Sequence, residues 1–122
     1  MGRLSTHVLD TARGAPAAGM RIDVLRRPGS AAPALDPDAP VRSVSTNAGG
    51  RTDAPLLEGE ELEAGTYQLV FHVGEYYRSR GDRDAGRFLE DVPIVFVVDD
   101  AKGTYHVPLL VTPWSYSTYR GS

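Results

Sequence analysis

Apolar residues recur at every second position in short bursts along this chain, and that period permits few folds. In MRIDV, Met20, Ile22 and Val24 share one side of an extended strand while Arg21 and Asp23 take the other. TYQLVFHVG places Tyr67, Leu69, Phe71 and Val73 on one face and Gln68, Val70 and His72 on the opposite one. GTYHVPLLVT repeats the pattern, with Tyr105, Val107, Leu109 and Val111 against Thr104, His106, Pro108 and Leu110. DVPIVFVVDD is apolar on both faces, the pattern of a central strand covered on both sides. LSTHVLDTA, VRSVST and YSTYR read as further strands, and APLL as one more. The turn signals RGAPAAG, RRPGSAAPALDPDAP, TNAGGRTDAP and EGEELEAG separate these runs. The count predicts an all-β fold of short antiparallel strands in a small sandwich. One segment breaks the pattern. The first half of EYYRSRGDRDAGRFLED predicts a short helix that ends before Gly81. Pro108 has no N–H to give, so its strand is expected to have a free edge there or to face a cavity.

At 122 residues and 41% hydrophobic content, residues 1–122 are expected to form one domain with a real core. The net charge of -3 offers no basic excess to neutralise a phosphate backbone, which argues against nucleic acid as a partner. The absence of cysteine excludes disulfides and thiolate chemistry. MGRLSTHVLD holds no apolar stretch of signal-peptide length, and no run approaches the length of a membrane span. A cytoplasmic protein without membrane association is the expectation. The Pro-rich loop 28–40 suggests no role.

Chemistry therefore rests on His7, His72, His106, the arginines, the carboxylates and the hydroxyls. No HxH or HExxH pair signals a metal. His7 shares a strand face with Ser5 and Leu9, where a half-exposed structural histidine is the default. His106 lies in a strongly apolar strand, so it is either paired or points into a cavity. His72, beside Gln68 and Val70, reads as structural. Arg51 leaves the NAGG turn with a constrained geometry, and its fork suits a planar, electron-rich ligand. The chain finishes on Tyr119-Arg120-Gly121-Ser122, an unusual concentration of chemistry for a terminus.

LSTHVLDTARGAPAAG, TNAGGRT, YHVPLLVTPWSYSTYRGS and the closing YRGS together resemble the 5-hydroxyisourate hydrolases, the transthyretin-related proteins. The resemblance runs from Leu4 to Ser122, and YRGS is its most specific part because it separates the hydrolases from the hormone-carrying transthyretins. It implies a transthyretin-like (prealbumin-like) sandwich of two four-stranded antiparallel sheets with one short helix. It implies a homotetramer with its active site at the dimer–dimer interface. The implied reaction is addition of water to 5-hydroxyisourate, giving 2-oxo-4-hydroxy-4-carboxy-5-ureidoimidazoline in urate breakdown, with no cofactor and no metal. By matching motif, the catalytic positions fall on His7, Arg51, His106 and Ser122, and the substrate-binding positions on Tyr119, Arg120 and Gly121. Water attack on a ring carbonyl needs a base, donors for the oxyanion and an acid for the leaving nitrogen. Either histidine can be the base; Arg51 suits an electrostatic clamp. The alternative is a non-catalytic small-ligand carrier of transthyretin type, which would favour an apolar channel.

Overall fold

The computed structural model describes residues 2–27 and 39–121, so most of the Pro-rich loop and the terminal Ser122 lie outside the described residues. The strands are β1 (Arg3–Asp10), β2 (Ala15–Pro16), β3 (Arg21–Arg26), β4 (Arg42–Ser45), β5 (Leu57–Glu58), β6 (Gly65–Phe71), β7 (Val92–Val98), β8 (Thr104–Val111) and β9 (Tyr116–Thr118). They form two sheets. One runs β2-β1-β8-β9, with β5 also paired to β1; the other runs β4-β3-β6-β7. The predicted alternation is met on both inner faces. Leu4, Val8, Leu109 and Val111 from one sheet are buried with Ile22, Val24, Leu69 and Phe71 from the other. Thr6 joins them because its hydroxyl donates to the Val107 carbonyl at 2.7 Å.

Three features differ from the sequence-based expectation. The first sheet has five strands, and β1 and β8 at its centre are parallel, in register from Arg3↔Thr104 to Asp10↔Val111. They come from opposite ends of the chain, so no hairpin forces them to be antiparallel. β7 is an edge strand, not a central one. Its second apolar side lies bare, with Val95 56% and Val97 63% exposed, and Pro93 sits where an edge tolerates it.

Pro108 pairs with His7 of β1, and on its other side it lies one residue beyond the end of β9, so the edge is free there locally, as its missing N–H allows. The register that pairs Leu109 with Thr118 continues to a bridge between His106 and Gly121. Between them, Pro108 would face Tyr119 but has no N–H for the ladder. The strand lapses over Tyr119 and Arg120 and is regained at Gly121, whose N–H donates to the His106 carbonyl at 2.7 Å.

The helix α1 (Val73–Ser79) follows β6 directly and ends as Gly81 takes a φ of 70°, which a residue with a Cβ rarely adopts. It crosses to the other sheet through a buried carboxylate. Asp10, fully buried at the end of β1, accepts hydrogen bonds from the Tyr76 hydroxyl at 2.9 Å and the Tyr77 hydroxyl at 2.8 Å. Burial, then the adjacent Asp10, hold both phenols above the ordinary tyrosine value, so both remain donors at neutral pH. Tyr77→Phe removes a buried donor from Asp10 and from the Val111 carbonyl. It should lower stability by about 1–2 kcal/mol, measured by urea unfolding at fixed protein concentration; an unchanged midpoint would show that the contact contributes nothing.

Candidate active site

Alternation along β1 and β8 puts Ser5, His7, His106 and Pro108 on the outer face of the five-stranded sheet. The parallel register then sets them side by side, Ser5 against His106 and His7 against Pro108. The two histidines, 99 positions apart in sequence (106 − 7), become diagonal neighbours. The Ser5 hydroxyl lies 2.8 Å from His106 Nδ1. On the far side of the ring, Gly121 packs so closely that a Cβ there would stand 2.6 Å from Cδ2.

Arg51 reaches this face from the Asn47–Arg51 turn. The Asn47 side-chain oxygen accepts from the Gly49 and Arg51 N–H groups, and the Asn47 N–H donates to the Arg51 carbonyl at 2.7 Å. The turn is fastened to β1 next to His7, since the Val8 N–H donates to the Gly50 carbonyl at 2.8 Å. Gly50 has a φ of 74° and lies tight against the Val8 carbonyl, so both its backbone and its lack of a side chain are required. Among the described residues the Arg51 guanidinium makes no hydrogen bond or ion pair, which leaves its fork open to a ligand.

The electrostatics follow from this convergence. Both histidines are held below the ordinary imidazole value, first by burial and next by the Arg51 charge. His106 is pushed further by His7, whereas the neighbouring Gly49 backbone pulls His7 the other way. Both rings are therefore neutral, and available as base or neutral donor, at physiological pH.

Of the other sequence candidates, Arg120 and His72 lie apart from the imidazoles. Arg120 turns to the opposite face, its guanidinium 4.5 Å over the Tyr105 ring and donating to the Thr104 carbonyl. Tyr119 is 60% exposed and borders, with Arg120 and Phe96, a groove of about 230 Å³ between β7 and β9. Ser122 is outside the described residues. His72 belongs to the other sheet, clamped between Asp23 at 2.8 Å and Asp91 at 3.2 Å, as a structural reading expects. Among the described residues no group of three or more His, Cys, Asp or Glu side chains is arranged to hold a metal. Sequence reasoning placed Ser5 on the right face but missed its contact, because strand pairing is not written in either strand alone.

The family model described as HIUase/Transthyretin matches residues 4–121. The chain belongs to this family. It is 52% identical to 5-hydroxyisourate hydrolase of Deinococcus radiodurans, over 98% of this chain and 95% of that one. It is 52% identical to 5-hydroxyisourate hydrolase 2 of Rhizobium meliloti, over 99% and 97% of the two chains. The solved structure of Klebsiella pneumoniae 5-hydroxyisourate hydrolase superposes with a TM-score of 0.80 at 31% identity, each chain wholly covered. The match spans the strands and the turn that bring His7, Arg51 and His106 together.

Two measurements test this geometry without substrate. NMR titration should find His7 and His106 midpoints below that of free histidine, and Arg51→Gln should raise both, because the removed charge opposes imidazolium formation. Midpoints indifferent to Arg51 would separate the turn from the imidazoles. The unfolded chain binds protons at these sites more readily, so their effect lowers stability as pH falls through the imidazole range. Gly121→Ala should displace the His106 ring, seen as a large chemical-shift change at His106, while the core melts normally. An unmoved ring would contradict the packing.

Proposed function

We propose that this protein is a 5-hydroxyisourate hydrolase, a cytoplasmic enzyme of urate breakdown whose single domain spans residues 1–122. The observation that carries the reading is the convergence on one sheet face of two imidazoles and a guanidinium that is unpaired among the described residues. The high identity to proteins named as hydrolases supports the same substrate. The product is 2-oxo-4-hydroxy-4-carboxy-5-ureidoimidazoline. The bond formed joins the water oxygen to a ring carbonyl carbon, the ring C–N bond breaks, and the water proton passes to the leaving nitrogen.

His7 is the base in this reading. A neutral imidazole carries its proton on one ring nitrogen. The opposite nitrogen then keeps its lone pair for water. His106 donates to the substrate and Arg51 stabilises the oxyanion; an arginine cannot itself act as base. Gly121 provides close packing against His106. Arg120, stacked on Tyr105, anchors the tail, with Tyr119 closing the pocket and Ser122 orienting an imidazole.

The site is open on a single protomer, and β7 carries the bare valines Val95 and Val97. Both observations support a homotetramer in which the outer face is closed by another subunit at the dimer–dimer interface. Sedimentation should give a species near four times 13.2 kDa; an active monomer would refute the shared site.

Purified protein should remove 5-hydroxyisourate faster than its spontaneous decay. His7→Gln, His106→Gln and Arg51→Gln should each lower kcat/KM by about two orders of magnitude or more. Deleting residues 119–122 should abolish turnover with the fold retained. Saturable binding without turnover would make the protein a carrier, and full activity in all the variants would end this mechanism.

A further inference from the structure

The Ser5 hydroxyl and His106 Nδ1 meet at 2.8 Å because the parallel register makes the two residues direct partners. The ring is gripped from the other edge by Gly121, whose lack of a side chain is what lets the tail approach Cδ2. A flip of the imidazole would exchange Nδ1 and Cδ2. It would lose the serine contact and set a bare C–H against a hydroxyl. The rotamer is thus held at both edges, by a polar contact and by close packing.

The proton is held as well. Among the described residues the Ser5 hydroxyl has no other acceptor, which favours donation of its proton to Nδ1. A neutral imidazole whose Nδ1 accepts carries its own proton on Nε2. Among the described residues Nε2 has no partner and remains free for a ligand.

We propose that Ser5 is a positioning residue that fixes His106 as its Nε2–H tautomer, so that His106 meets the substrate as a hydrogen-bond donor. The Nε2–H of His106 is then ready to hold a carbonyl oxygen. Its kinetic consequence rests on the hydrolase reading; the tautomer itself does not.

The test combines a spectroscopic and a kinetic measurement on the full chain. Long-range ¹⁵N–¹H correlation spectra of histidine-labelled protein, without substrate and at neutral pH, should show His106 protonated at Nε2. Ser5→Ala should give a mixture of the two tautomers and lower kcat by about tenfold or more, as loss of orientation at a reacting group does, with KM within about twofold. Ser5→Thr, which restores a hydroxyl on a residue suited to strands, should recover both the tautomer and most of kcat. An Nδ1–H tautomer in the unsubstituted protein would overturn the proposal, even if Ser5→Ala failed to fold. So would a Ser5→Ala protein with tautomer and kcat unchanged. Absence of hydroxyisourate turnover in the unsubstituted protein would instead remove the hydrolase reading, and the spectra would still decide the role of Ser5.

Discussion

The parallel pairing of β1 with β8 is the constraint on which the rest of the molecule depends. It joins the two ends of the chain across the middle of one sheet, and it does so over eight consecutive residue pairs. The inner side of that ladder supplies Leu4, Val8, Leu109 and Val111 to the core. The outer side supplies Ser5, His7 and His106. Because side chains alternate with a period of two, a slip of one residue would send the imidazoles into the core and the core residues to solvent. Burial of the inner face therefore specifies the register of the outer one. The stability of the sandwich and the geometry of the site are consequences of one alignment.

Everything else around the histidines is attached to that ladder. The Asn47–Arg51 turn is pinned through Gly50 to β1, between its pairings with β5 and β2, which delivers a guanidinium charge beside both rings. The tail is held to β8 on its other side, lapses where Pro108 has no hydrogen to give, and returns as Gly121 against His106. Asp10 ties the far end of β1 to α1 through two tyrosines. Each attachment uses a residue with a specific physical property: a glycine at positive φ, a proline without a donor, or a carboxylate with two phenols. Burial and the arginine then act in the same direction on the imidazoles, and both disfavour the charged ring.

Much of this could be read before any coordinates. Alternation located the strands, and Gly81 marked the end of the helix region. The STHVLD, NAGGR and YRGS segments marked the chain as a hydrolase relative. What could not be read was pairing. DVPIVFVVDD looked like a central strand because it is apolar on both sides, but periodicity reports what a residue prefers to touch and not which strands flank it. Pro108 suggested a free edge or a cavity, and the edge is indeed free at that point, but only for the two residues before Gly121 regains the ladder. Ser5 carried no signal, since its significance arises from a partner 101 positions away. Arg120 was grouped with the tail by sequence proximity, but strand alternation turns it to the opposite face, onto Tyr105.

The central claim is that His7, His106 and Arg51 form one site for a flat heterocycle on the outer face of the β1–β8 ladder. The most direct measurement is a crystal structure of the protein with an unreactive oxidised purine bound. The account predicts the ligand plane resting between the two imidazoles, its carbonyl oxygens on the Arg51 guanidinium and a second subunit closing the face above it. A ligand seated in the groove between β7 and β9, or elsewhere without contact to either histidine, would contradict it.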